Sequence, residues 1–264
     1  IPDRATIGGT LAIGAGGPTK WQFGHPRDLI IGMKVVQADG RVVKSGGQVV
    51  KNVSGYDMAR LHIGGLGTLG IIAEVSFKLT PLPSIETTVV AAFDSAAQAQ
   101  LAGLAIFHSN VVPMALAAFD AQTNKRAAIM SLDAKHFLAV KVGGRSRTVQ
   151  RQLTECRRAC LDHDATSVEA MDDAGAVAVW RALADFGWDD ATKPVMTVRA
   201  SCLPNELPKL IKQLAGLGGG DGHGPAIVSQ PGYGVASISW FPAGADFQCN
   251  EAGNVLAKAR EATH

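Results

Sequence analysis

Residues 41–72 read RVVKSGGQVVKNVSGYDMARLHIGGLGTLGII and contain a literal G-x-G-x-x-G at Gly65-Leu66-Gly67-Thr68-Leu69-Gly70. The flanks decide what this motif means. A nicotinamide fingerprint has a strand before the glycines and a helix after them, so that the helix N-terminus meets the pyrophosphate. Here a helix-like run at 55–61 comes first. The segment that follows, 71–79, is rich in β-branched residues and alternates with period two from Ala73 onward, as a strand does. That order argues against a Rossmann site. Glycines placed this way instead allow positive φ and let a flat ligand lie against bare backbone.

A second glycine-rich stretch, ATIGGTLAIGAGGP, occupies residues 5–18, with five glycines between positions 8 and 17. It is not a phosphate loop of the Gly-Lys-Ser/Thr kind, because Pro18-Thr19-Lys20-Trp21 stands where that motif requires a helix start. We read it as a loop whose small residues form a wall. Further on, an apolar strand at 29–36 and a second at 41–44 flank Ala38-Asp39-Gly40, which predicts a hairpin.

The series Ile7-Gly8-Gly9-Thr10-Leu11-Ala12, Gly17-Pro18, Gly24-x-x-Arg27-Asp28, Asp39-Gly40, Gly46-Gly47, Lys51-Asn52-Val53-x-Gly55-Tyr56-Asp57 and Gly64-x-x-Gly67-Thr68-Leu69-Gly70-Ile71-Ile72 resembles the FAD-binding domain of PCMH-type, vanillyl-alcohol-oxidase-like oxidoreductases. Within that group it is most similar to the small FAD-binding E subunits of bacterial glycolate oxidases. The match is dense over residues 1–83 and thin beyond. The resemblance implies an α+β fold: the second half of a PCMH-type FAD-binding domain at 1–83, then an α+β cap built on an antiparallel sheet at 84–264. It also implies a partial chain, since the family's earlier FAD subdomain and its Asn-Pro-Gly-Arg-like ending are unmatched, and hence weak flavin retention by this polypeptide alone.

By the same resemblance, Gly8, Gly9, Thr10, Ala12, Gly16 and Gly17 lie along the pyrophosphate and flavin of a non-covalently bound FAD. Gly24 and Asp28 count among the cofactor-binding residues as well, with Arg27 and Asp28 fixing the loop rather than touching substrate. Gly64, Gly70, Ile71 and Ile72 offer backbone toward the adenosine end. Main-chain amides in glycine turns suit this task because they form a concavity for the pyrophosphate charges. The activity implied is oxidation of a 2-hydroxy acid, glycolate foremost. Electrons would pass to an iron-sulfur partner subunit beside a larger flavin subunit, in the cytoplasm or at the inner membrane face through those partners. The alternative is a flavin-fold scaffold that performs no chemistry.

Single residues carry two readings each. Lys51, Asn52, Tyr56 and Asp57 form either a polar site near the flavin or, through Asn52 and Asp57, caps for a helix beginning near Gly55. His62 fits a satisfied partly buried position better than a catalytic one, and His25 is not placed as a covalent attachment point. Arg199 either forks onto a substrate carboxylate or bridges to a surface acid. No general base is assigned. The histidines show no HxxH or HExxH spacing, so the sequence argues no metal site. Cys156 and Cys160 share a helix face at a spacing unlike zinc motifs, and thiols are expected rather than disulfides.

A formal net charge of +2, spread evenly, gives no footprint for nucleic acid, and no apolar run approaches the ~20 residues that span a bilayer. The prolines at 81 and 83 punctuate the chain. Beyond them we expect strands at 85–93, 113–119, 127–131, 137–142, 167–171, 195–202, around 227 and at 235–241. Helices are expected at 95–108, 146–161, 174–185 and 205–214, with a turn at 218–222.

Overall fold

The computed structural model describes residues 5–49, 56–188, 193–216, 224–241 and 257. Two compact units divide between Leu82 and Pro83. The expected turn at 218–222 and residues Lys51, Asn52 and Gly55 lie outside the described residues.

The first unit begins with three short helices, α1 (Ile7–Ile13), α2 (Lys20–Phe23) and α3 (Pro26–Leu29). The strands β1 (Ile30–Val36), β2 (Val42–Gly46) and β3 (Ile71–Phe77) follow, with the single turn of α4 (Ala59–His62) between the last two. The sheet order is β2-β1-β3, antiparallel throughout. The hairpin closes at Asp39-Gly40 as expected: Gly40 takes φ +83°, its N–H donates to Gln37 O at 2.9 Å, and Asp39 Oδ1 accepts from the Arg41 amide. Met33, Val35 and Ala59 form a small core with Val43, Ile63, Ile72 and Val75 around it.

Two local expectations change. Residues 7–13 are helical rather than a loop. Thr6 caps the helix by accepting from the Gly9 amide, Gly14 ends it in the left-handed conformation with φ 69°, and Leu11 is buried beneath it. A good cap at each end outweighs the poor helix propensity of two glycines. Conversely, the helix expected from 55 is confined to four residues. Its first amide, Ala59 N–H, donates to the Ser45 hydroxyl at 3.2 Å, while Asp57 pairs with Arg60 Nε at 2.7 Å instead of capping.

The second unit is a seven-stranded antiparallel sheet. Its elements in chain order are β4 (Ile85–Phe93), α5 (Ala96–His108), β5 (Ala115–Asp120), α6 (Ala121–Ala127), β6 (His136–Gly144), α7 (Ser146–Asp162), β7 (Ser167–Ala170), α8 (Asp173–Asp185), β8 (Met196–Ser201), α9 (Leu207–Ala215), β9 (Ala226–Gln230) and β10 (Val235–Trp240). The sheet order is β7-β4-β6-β5-β9-β10-β8. The strand expected at 127–131 is absent. Asp120 Oδ1 accepts from the Thr123 amide at 2.8 Å and starts α6, Ala128 ends it with φ 48°, and Asn124 then holds Met130 through both its amide atoms. Those side-chain to backbone bonds win over the apolar run Ala127-Ala128-Ile129-Met130.

Because side chains alternate across a strand, the sheet has two unlike faces. On one, α9 covers Ala200, Ala236, Ile238 and Trp240, and α5 and α7 lie against β4, β5 and β6. On the other, α8 places Val179 and Leu183 on Val90, Ala92, Ala117, Phe119 and Phe137. Trp180 of α8 donates its indole N–H to the fully buried Thr88 hydroxyl at 2.8 Å. Trp180→Phe should therefore leave Thr88 without its donor and lower the unfolding free energy of this unit by about 1–3 kcal/mol. Urea denaturation of the variant against the parent measures it.

Candidate flavin site and the open face of the sheet

The two glycine stretches of the first unit meet directly. Gly64 N–H donates to Leu11 O at 3.1 Å and Leu66 N–H to Ala12 O at 2.9 Å, joining the second stretch to the C-terminal half of α1. The approach depends on bare backbone: a Cβ on Gly14 would lie 3.0 Å from both N and Cα of Gly64, and Gly14 already sits at φ +69°. Gly8 is similarly pressed on β3, where its Cβ would come within 3.3 Å of Ile72 O.

Beside this contact lies a cleft of about 430 Å³ whose walls include Thr6, Ile7, Thr10, Gly16, Gly17 and Gly24. Four of the residues expected to touch FAD thus share one concavity: Thr10, Gly16, Gly17 and Gly24. Gly17 has open space where a Cβ would be, and Ile7 is 65% exposed, so the cleft offers a bare backbone edge and an apolar wall. Such a surface fits one side of a flat, amphipathic ring system with a charged tail. The other expected residues act differently. Asp28 accepts from the His25 amide at 2.8 Å and starts α3. Ile71 and Ile72 are paired with Val36 and Val35 in the sheet, and the Gly64 amide is spent on Leu11.

Lys20 escaped the sequence reading, where it entered only as part of a failed phosphate-loop motif. It lines the cleft and is 7% exposed, with its stem close enough to Gly16 that a Cβ there would meet Lys20 Cδ at 3.3 Å. The Lys20 stem thus forms part of the cleft wall.

In the second unit Arg199 is exposed on β8, on the face opposite α9. One register row crosses the sheet from Ala92 through Phe137, Phe119, Val228 and Ser237 to Arg199. It changes from apolar to polar where α8 ends its cover. The neighbouring row carries Thr197 and Ser239, whose hydroxyls lie 3.0 Å apart. Among the described residues no acid bridges Arg199.

The helix-covered face holds a separate cavity of about 450 Å³ between α5 and α9, bordered by Asp120 and His136. Burial raises the Asp120 carboxyl above its ordinary value, against the pull of the Thr123 amide, and burial with nearby Lys135 lowers the His136 imidazole. The helix thiols Cys156 and Cys160 are pushed up to about 12 by burial, and both are free. They hold their protons at any ordinary pH. Among the described residues no cluster of His, Cys, Asp and Glu could hold a metal ion, and no helix is long and apolar enough to cross a membrane.

Comparison with known proteins gives the class. Residues 82–245 match the family model of FAD linked oxidases, C-terminal domain, and the chain belongs to this family, whose cofactor is FAD. It is 34% identical over 170 residues to the glycolate oxidase subunit GlcD of Bacillus subtilis (strain 168), covering 62% of this chain and 36% of that protein. It is 41% identical over 81 residues to the glycolate oxidase subunit GlcE of Escherichia coli (strain K12), covering 31% and 23%. It is 30% identical over 186 residues to the mitochondrial D-lactate dehydrogenase [cytochrome] 1 of Saccharomyces cerevisiae, covering 67% and 32%. Among solved structures it is similar to alkyldihydroxyacetonephosphate synthase (TM-score 0.67, 15% identity, 98% of this chain and 52% of that one) and to p-cresol methylhydroxylase (0.63, 13%, 97% and 58%). Those two establish a shared fold. The chain thus spans 36% of the GlcD length and about half of each structural neighbour.

Two outcomes test this description. Gly14→Ala should cost about 1–2 kcal/mol from the left-handed backbone alone, and more if Gly64 is pushed away, seen as a lower thermal midpoint for the first unit. In the folded protein at mildly alkaline pH, a thiol-alkylating reagent should modify Cys202 well before Cys156 and Cys160, with peptide mass mapping as the readout. Cys202 is only partly buried, whereas the other two are buried.

Proposed function

We propose that this chain belongs to an FAD-dependent oxidoreductase of 2-hydroxy acids, with glycolate the first substrate to test. The first unit is the C-terminal part of the FAD-binding domain and the second is the cap over the substrate. The observation that carries this reading is the joined pair of glycine stretches beside a small-residue cleft, in a chain whose other unit is an FAD-linked oxidase domain. The relatives that act on 2-hydroxy acids by name, glycolate oxidase subunits and D-lactate dehydrogenases, support the substrate class.

In this reading Thr10, Gly16, Gly17 and Gly24 present backbone and small side chains to the dinucleotide. Lys20 supplies positive charge toward its phosphates, and Ile7 excludes water from its apolar part. Gly8, Gly9, Ala12, Gly64, Gly70, Ile71 and Ile72 hold that wall in place from behind or border it, while Asp28 fixes the turn at His25. When bound, FAD supplies the two-electron sink that no amino-acid side chain provides. Arg199 takes the substrate carboxylate through its forked donors, with the Thr197 and Ser239 hydroxyls beside it to orient the 2-hydroxyl. The partners proposed are a larger flavin subunit and an iron-sulfur subunit that accepts the electrons, with the complex in the cytoplasm or at the inner face of the membrane.

The test is anaerobic mixing of the full-length, FAD-loaded protein with glycolate, D-lactate or another 2-hydroxy acid. Loss of the visible flavin absorbance is expected. A flavin that stays oxidised with every such acid defeats the reading, and a full-length protein without flavin bands leaves a scaffold subunit. Arg199→Ala should lower kcat/KM about tenfold to a hundredfold, as loss of a charge-assisted hydrogen bond does, with partial recovery in Arg199→Lys.

A further inference from the structure

The cavity of about 450 Å³ between α5 and α9 has no part in the proposed reaction, because it lies on the helix-covered face of the cap sheet. Its walls are mostly small and apolar, among them Ala99, Ala118, Ile211 and Ile227. A lining of this kind, interrupted by a few polar groups, is the usual composition of a small-molecule site.

Register brings the polar groups together. Ser229 of β9 is paired with Ala118 of β5, and Asp120 of β5 with His136 of β6. Ala118 and Asp120 are two residues apart on one strand, so their side chains share a face and their rows lie about 7 Å apart. Gln100 of α5, only 4% exposed, docks on the first row. Its Nε2 donates to the Ser229 hydroxyl at 2.7 Å, and that hydroxyl donates to Ala118 O at 3.3 Å. Since the hydroxyl proton goes to the carbonyl, the amide meets Ser229 with its N–H and its oxygen is left over. Gln100 Oε1 is buried without a hydrogen-bond partner. A buried acceptor in that state is costly, and its residue is one of the cavity walls.

The second row is short of positive charge. Asp120 Oδ1 accepts from the Thr123 amide at 2.8 Å, yet among the described residues no cation pairs with this carboxylate. Burial raises its carboxyl above the ordinary value, the mark of a charge taken from water without a counter-ion. His136 does not supply that counter-ion. Burial and Lys135 lower its imidazole, so the ring is neutral near pH 7 and keeps one nitrogen as an acceptor. At the cavity's border Asp94 and Lys212, both exposed, carry opposite signs. The first turn of α5, also at the border, is closed on itself by the reciprocal bonds of Ser95 and Gln98. The buried polar groups are thus acceptors in want of donors. A primary ammonium brings three N–H donors and the missing charge.

We propose that this cavity binds a small primary amine, held as its ammonium ion by the Gln100 amide oxygen and the Asp120 carboxylate, with a short apolar body against Ala99, Ile211 and Ile227. The site is separate from the flavin and hydroxy-acid chemistry and does not rest on it.

Calorimetric titration of the full-length protein at neutral pH with n-butylamine hydrochloride tests this, with n-butanol and sodium butyrate as the neutral and anionic ligands of equal length. Saturable binding of the amine, at least about tenfold tighter than of the other two, is expected. Asp120→Asn keeps a capping oxygen for α6 but removes the charge, and should weaken the amine about tenfold to a hundredfold while leaving butanol unchanged. Gln100→Leu should weaken it by a smaller factor. Ala97→Leu combined with Ala215→Leu narrows the cavity from exposed helix positions and spares the core. That variant should lose amine binding, and it keeps the test decisive where a buried substitution fails to fold. Absence of saturable amine binding overturns the proposal. So does binding of butanol or butyrate as tight as that of the amine, or amine binding that the narrowed variant retains.

Discussion

The first unit depends on a contact that only glycine permits. Two chain segments some fifty residues apart, 8–17 and 64–70, are joined by amide to carbonyl hydrogen bonds at a separation that a Cβ on Gly14 would press against. The contact positions α1 on the edge of the sheet, and other glycines, Gly16, Gly17 and Gly24, line a cleft beside it. Backbone exposed in this way costs stability, since glycine loses more freedom on folding than any other residue. Small cores tolerate such costs poorly, and among the described residues of this unit the buried apolar side chains are Leu11, Met33, Val35 and Ala59.

The second unit solves a different problem. A seven-stranded antiparallel sheet needs cover on two faces, and helices supply it unequally. The face toward α9 is apolar to its edge at Trp240. The other is apolar only under α8 and turns polar along the row from Val228 to Ser237 and Arg199. A half-covered face with hydroxyls and an exposed arginine, Arg199, is a poor place for packing. The cavity on the covered face, by contrast, is bordered by Asp120, which already accepts hydrogen bonds as the cap of α6.

Much of this was legible because the relevant signals are local. The hairpin at Asp39-Gly40 follows from turn chemistry, β4 from its strand-like run at 85–93, α5 from the alanine-rich run after it, and α7 from its apolar stripe through Val149, Cys156 and Cys160. The misreadings share a cause. Residues 7–13 and 121–127 are helices of seven residues each, too short for periodicity to register, and their existence rests on one capping side chain apiece, Thr6 and Asp120.

The order of glycines around residues 8–17 and 64–70, with a strand rather than a helix after the second, argued by itself against a nicotinamide site, and the resemblance of the whole glycine series to a flavoprotein family then pointed to FAD. That is because glycine restricts which backbone can approach which ligand, and the restriction is written residue by residue. Which glycine amides are engaged, that Lys20 borders the cleft, and that Arg199 stands exposed on the half-covered face of a sheet were decided only by tertiary structure. Each depends on neighbours far along the chain, and no local pattern records a side chain's distant partner.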